Sequence, residues 1–209
     1  MGMALPIVSV VFAYFGFRFF GIDPLFASIS STHYFNSYIL FEGLVMATGL
    51  FLLTYRGYDI KDRVLSIIAG CGAILVSTFP CAPTSAAMIP APWNVMMLPE
   101  GVSNVIHLVG AMTFFGCLFW IVEFQFTKTS SSEPSPRKKL RNRIYKVSGW
   151  IILGGLVICV LDSILGGVFI GIFSLLFIGE AISLWAFGVP WLVKGDVLLR
   201  DEEPKVNLK

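Results

Sequence analysis

Seven residues in this strongly apolar chain are the candidates to bind a polar ligand or hold a proton: Arg18, His33, Glu42, Asn104, His107, Asp162 and Glu180. An ionisable group inside hydrocarbon costs several kcal/mol unless it is paired, hydrated or neutralised, so such residues face a bundle interior or a wet cavity. Glu42, His107 and Asp162 fall in three different apolar runs, each toward the end that the charge pattern assigns to the outside. They are expected to build one polar pocket open to the outer face, with Arg18 and His33 near its mouth and Glu180 at mid-depth. Helical spacing offers local partners: Tyr38 one turn before Glu42, Asn104 three residues before His107, Ser183 three after Glu180. The competing reading has each polar residue tying two helices together through a hydrogen bond, worth about 0.6 to 2 kcal/mol. One-sidedness favours the pocket, because helix-to-helix ties have no reason to gather at one end of several runs.

The chemistry open to such a set is limited. Hydrolytic zinc needs three good ligands and a water, and the chain holds two histidines in all, so no metal is expected. The same two imidazoles as axial haem ligands find no support around them, and no cofactor is expected. A nucleophile elbow, a P-loop and a dinucleotide fingerprint are all missing from the sequence. The basic run lacks interleaved aromatics, which excludes a nucleic-acid platform. What remains is binding or handling of a lipid or small amphiphile. Two alternatives stay open: a lipid-modifying enzyme with His107 as general base or metal ligand, and a proton-coupled transporter using Glu180.

These residues are positioned by elements that the composition dictates. Of 209 residues 56% are hydrophobic and 13% charged, with a mean hydropathy of +0.80, against roughly 25% charged in soluble domains. The chain therefore reads as an all-α integral membrane bundle. Apolar runs lie at about 5–22, 35–55, 64–79, 103–125, 147–166 and 169–193, which predicts six transmembrane helices. Fourteen of the 15 Lys and Arg residues fall in three segments: Arg56, Lys61 and Arg63; Lys128, Arg137, Lys138, Lys139, Arg141, Arg143 and Lys146; and Lys194, Arg200, Lys205 and Lys209. Six spans put all three segments on one side, which the positive-inside rule makes cytoplasmic, as are both termini.

Residues 1–194 are thus expected to form one transmembrane domain in a plasma membrane, a bacterial inner membrane by its compactness, followed by a cytoplasmic tail, 195–209. Within it, 126–146 is expected as a basic cytoplasmic loop whose Arg137, Lys138, Lys139, Arg141 and Arg143 lie near anionic headgroups. The segment 80–102 holds five of the 11 prolines, with Met88, Ile89, Trp93 and Met96 among them. It is too Pro-rich for a helix and too apolar for a solvated loop, so it is expected on the interface or folded over the pocket. The glycines at 70, 72, 154 and 155 lie inside spans, where close helix packing explains them.

Two stretches together resemble the six-span family of damage-regulated autophagy modulators and related bacterial membrane proteins. The positions are Asp23-Pro24 and Ile29-Ser30 in the first outer loop, Tyr55-Arg56 at the exit of span two, and His107 with Gly110-Ala111 and Phe114 in span four. Ser31 stands where the family pattern has an acidic residue. The resemblance implies a six-helix fold with cytoplasmic termini, an outer-facing histidine and a link to lipid and membrane processes.

Overall fold

A computed structural model of the chain describes residues 2–19, 21–35, 37–83, 98–129 and 135–199. Among these residues six helices follow the apolar runs: α1 (Leu5–Phe19), α2 (Tyr38–Thr54), α3 (Ile60–Thr78), α4 (Glu100–Trp120), α5 (Pro136–Leu165) and α6 (Leu175–Lys194). A π turn, Ile121–Gln125, extends α4, and a small antiparallel hairpin, β1 (Phe169–Ile170) with β2 (Phe173–Ser174), separates α5 from α6. Glu100–Gln125, Pro136–Leu165 and Leu175–Lys194 are each long and apolar enough to cross a membrane, which is compatible with a membrane protein. α1 and α2 are apolar but shorter, and the first turn of α3 carries Lys61, Asp62 and Arg63.

Two boundaries differ from expectation. The basic stretch expected as a loop is helical from Pro136 onward, because Ser135 caps α5 by accepting the Lys138 N–H at 3.1 Å and proline suits the first helical position. The last apolar run does not begin as helix at 169. Residues Phe169–Ser174 fold back on themselves through Gly171, whose φ of +63° supplies the positive angle that a two-residue hairpin turn needs at its first position. α6 starts at Leu175 and runs on through the buried Pro190, so Glu180 stands in its second turn.

The helices are turned inside out relative to a soluble bundle. On α4 the buried stripe is Ser103, His107, Gly110, Phe114 and Leu118, whereas Val105, Leu108, Val109 and Met112 are exposed. α5 repeats the pattern, burying Ser148, Gly149, Gly155 and Asp162 while exposing Val147, Trp150, Val157 and Ile164. Small and polar residues inside with branched apolar residues outside is the arrangement expected where the surrounding solvent is lipid.

Close approach at three crossings is made by reciprocal glycine pairs. A β-carbon on Gly49 would stand 3.0 Å from the Gly70 carbonyl oxygen, and one on Gly70 2.8 Å from that of Gly49. The same holds between α3 and α4 for Gly72 and Gly110, at 2.8 and 2.9 Å. Between α5 and α6 it holds for Gly155 and Gly179, at 2.7 and 2.6 Å. Backbone lies directly on backbone at each point, a contact that only glycine permits. Of the two neighbouring glycines 154 and 155, only Gly155 makes such a contact; Gly154 faces open space.

Candidate functional site

Between α1 and α2 the chain does not pass over the bundle but dips into it. Phe26, Ser28, Ile29, Ser30, Ser31, Thr32, His33 and Phe35 are all buried, although only Ser30–Tyr34 forms a regular 3₁₀ turn. Non-helical backbone can be buried only if its polar groups are satisfied, and the run of hydroxyls does this locally. Ser28 and Ser31 bond each other's backbone reciprocally at 2.8 to 3.0 Å. Thr32 Oγ1 donates to the Ile29 carbonyl and Ser37 Oγ to that of Thr32, each at 2.6 Å. The turn chemistry of serine and threonine therefore replaces a helical ladder. Phe26 anchors the segment among Phe17, Phe173 and Phe177, and its backbone pairs with the hairpin, accepting the Ser174 N–H at 3.0 Å and donating to Ile172 at 2.8 Å.

This plug is the hub for most of the candidate site residues. From α6, Glu180 Oε2 accepts the Ile29 N–H at 2.6 Å. From α4, His107 stands with Nε2 3.0 Å from Ser30 Oγ and Nδ1 2.7 Å from the Phe79 carbonyl oxygen. A carbonyl only accepts, so Nδ1 carries the proton and Nε2 of the neutral ring accepts from the Ser30 hydroxyl. From α2, Glu42 Oε1 meets His33 Nδ1 at 3.2 Å, while His33 Nε2 is buried without a partner. The expected local pairings for two residues are replaced: Asn104 Oδ1 accepts the Ala82 N–H at 2.8 Å, and Ser183 Oγ donates to the Ile152 carbonyl at 3.3 Å.

The start of the α3–α4 connection is clamped against the same hub. Ser103 Oγ donates to the Pro80 carbonyl at 2.9 Å and the Tyr34 hydroxyl to that of Cys81 at 2.5 Å. Burial, with the Glu180 carboxylate adding to it, pushes the Cys81 thiol up to about 12. The remainder expected as an outer cover, residues 84–97 with Met88, Ile89, Trp93 and Met96, lies outside the described residues.

A serine hydroxyl held by a neutral imidazole whose other nitrogen is oriented is the geometry of an activated nucleophile. Here Ser30 is 9% exposed and His107 4%, and neither lines the cavity or the cleft described below. The pair ties the plug to α4, and the ring's other nitrogen ties α4 to the end of α3. Among the described residues no group of three His, Cys, Asp or Glu gathers that could hold a metal ion.

Asp162 serves elsewhere. Its Oδ1 accepts the Val168 N–H at 2.7 Å and its carbonyl accepts from Gly167 at 3.0 Å, ending α5 and holding the hairpin. It also lines a cavity of about 560 Å³ beside the plug, walled by Phe17, Asp23, Phe35, Phe169 and Ser174 among others. Arg18, exposed at the end of α1, neither lines this cavity nor pairs with any described acceptor. Glu42 and His107 thus meet the same plug from different sides without sharing a partner, while Asp162 holds the hairpin and faces the cavity beside it. A second opening, an apolar cleft of about 380 Å³, runs between α1 and α6 past Ile7, Val10, Val11, Phe177, Ala181 and Ile182. Strand β2 divides the two: Phe173 lines the cleft and the next residue, Ser174, lines the cavity, as alternate strand residues point to opposite sides.

The opposite end of the bundle carries a separate set of ion pairs. Lys128 Nζ binds Asp59 Oδ2 at 2.6 Å and Asp62 Oδ1 at 3.2 Å. The Lys128 hydrogen bond holds the Asp59 carboxyl below its usual range, and the two carboxylates outweigh desolvation to raise Lys128. Glu123, buried in the π turn, pairs with Lys146 at 2.7 Å. Arg141, expected at anionic headgroups, is instead buried against Asp196 at 3.0 Å, and Lys138 donates to the Phe126 carbonyl at 3.3 Å. Lys139 and Arg143 are exposed.

The hydroxyl plug was the part of the site that charge-led reasoning missed; its signal was the run Ser28-Ile-Ser-Ser-Thr32 between two apolar segments. No family model, curated protein or solved structure matches the chain.

Proposed function

We propose that this chain is a six-span membrane protein that binds or handles a lipid or small amphiphile between α1, the plug and α6. The observation that carries the reading is the adjacency of an apolar cleft and a carboxylate-bearing cavity across one strand, β2. An amphiphile needs both environments within its own length. Its chain occupies the cleft along Val10 and Ile182, and its polar end passes the hairpin into the cavity at Asp162. Short helices fit this arrangement. α1, with 15 residues, is about 22 Å long against roughly 30 Å of hydrocarbon, so the plug completes the span with irregular backbone buried in protein.

The bundle is oriented with both termini in the cytoplasm and the cavity toward the outer leaflet, on the strength of the three basic segments. Exposed Lys139 and Arg143 then face anionic cytoplasmic headgroups. The resemblance to the damage-regulated autophagy modulators is consistent with this, because two of its positions, Ser30 and His107, are hydrogen-bonded to each other. A reporter fused after Lys209 is expected to be active only in the cytoplasm; activity outside the cell overturns the orientation.

The ligand reading is tested by filling the cleft. Val10, half-buried on its wall, is replaced by Trp, and lipid carried through gentle purification is weighed by native mass spectrometry. Wild type is expected to retain amphiphile and Val10→Trp to lose most of it with its melting temperature unchanged. Equal retention by both proteins would rule the cleft out.

A further inference from the structure

We infer that the cavity beside the plug selects a positively charged amine as the polar end of its ligand. This rests on the reading that an amphiphile occupies the site, and adds the chemistry of its headgroup. Among the described residues lining the cavity, the charged ones are Asp23 and Asp162, with no Lys, Arg or His. Asp23 is exposed and has no described partner. Asp162 is only 4% exposed, yet it lines the cavity and one of its carboxylate oxygens remains uncommitted: Oδ1 takes the Val168 N–H, whereas Oδ2 has no described partner.

Several donors around these carboxylates are already committed. The N–H groups of Gly167 and Val168 both go to Asp162. Ser163 Oγ donates to the Cys159 carbonyl at 3.0 Å and Ser174 Oγ to that of Ala27. At the start of α6, the Leu175 N–H goes to Val168 and that of Phe177 to Ser174 Oγ. A wall whose charged groups are both carboxylates and whose side-chain hydroxyls are committed repels a phosphate or carboxylate and suits a group that donates. Phe17, Phe35 and Phe169 add aromatic surface, which favours a cation over a neutral polar group. An ammonium group on a lipid headgroup or on a free alkylamine meets all of these conditions.

The test uses the full chain in maltoside micelles with native mass spectrometry as the readout. Phosphatidylethanolamine, phosphatidylglycerol and dodecylammonium are added separately. Asp162→Asn keeps a carbonyl oxygen for the Val168 N–H, and Asp23→Asn alters an exposed residue, so both variants are expected to fold. We expect phosphatidylethanolamine or dodecylammonium to be retained in preference to phosphatidylglycerol, and each variant to weaken that retention by about tenfold, the scale of one charged hydrogen bond. Retention of dodecylammonium alone identifies a free amine, and retention of phosphatidylethanolamine alone a lipid headgroup. Equal binding of phosphatidylglycerol, or variants that bind as wild type does, overturns the amine selectivity while leaving an amphiphile site standing. Retention of none of the three overturns both.

Discussion

A valine at Gly155 is expected to separate α5 from α6, while the same substitution one residue earlier, at Gly154, leaves the bundle intact. The β-carbon alone would stand 2.7 Å from the Gly179 carbonyl oxygen, with Ser183 Oγ in its way as well, and valine adds two methyl groups beyond it. Backbone cannot yield as a flexible side chain would, so the two helices must part along the length they share. Overpacking of this kind costs about 1 to 3 kcal/mol and more where backbone is the obstacle. Separation also removes the Ser183 to Ile152 hydrogen bond and draws α6, with Glu180, away from the plug. Gly154 meets no atom within 4 Å, so its valine variant meets no packing obstacle and gains a few tenths of a kcal/mol of helix propensity over glycine, about the difference between the two residues in a helix interior. Melting followed by size-exclusion chromatography in detergent checks the contrast. Equal stability of Gly155→Val and Gly154→Val would remove the glycine crossing as a determinant of the fold.

That pair also shows how far the sequence is legible. Neighbouring glycines in an apolar run mark a close crossing, but which of the two touches depends on the rotation of α5 about its axis. That rotation follows from the inward stripe Ser148, Ile152, Gly155 and Asp162, which is visible only once lipid rather than water is taken as the solvent. The gathering of polar residues at one end was readable from charge and span boundaries alone. Their partners were not, because helical spacing finds only neighbours on the same helix. Asn104 reaches Ala82, Ser183 reaches Ile152, and Glu180 reaches Ile29, across separations that no periodicity encodes. The hairpin was hidden for a related reason: Phe169, Ile170, Ile172 and Phe173 are as apolar as the helix that follows, and only the glycine at 171 marks the turn.

Removing the imidazole at His107 is expected to loosen the plug and the start of the α3–α4 connection together, since one ring holds both. His107→Ala leaves the Phe79 carbonyl and the Ser30 hydroxyl unpaired in a buried setting. Each unsatisfied group costs about 1 to 3 kcal/mol, so a loss of about 3 kcal/mol or more is expected with the cavity included. The two nitrogens can be separated: asparagine places an amide donor near Nδ1 and is expected to keep the Phe79 bond, whereas glutamine reaches toward Nε2 and keeps the Ser30 bond. Ser30→Ala breaks one contact and is expected to cost about 1 kcal/mol. Cys81 supplies the readout, because its thiol is pushed up to about 12 and its carbonyl is tied to Tyr34. With Cys71, Cys117 and Cys159 replaced by alanine, maleimide labelling of Cys81 at neutral pH is expected to be slow, since almost no thiolate is present. A destabilisation of about 3 kcal/mol confined to this region raises the open population by a factor on the order of 100 and the labelling rate with it. His107→Asn is expected to label more slowly than His107→Gln, because Cys81 lies two residues beyond Phe79 and follows that bond rather than the one to Ser30. If a folded His107→Ala protein labels at the wild-type rate, the imidazole does not hold the connection, and the role of the plug as a common anchor fails with it.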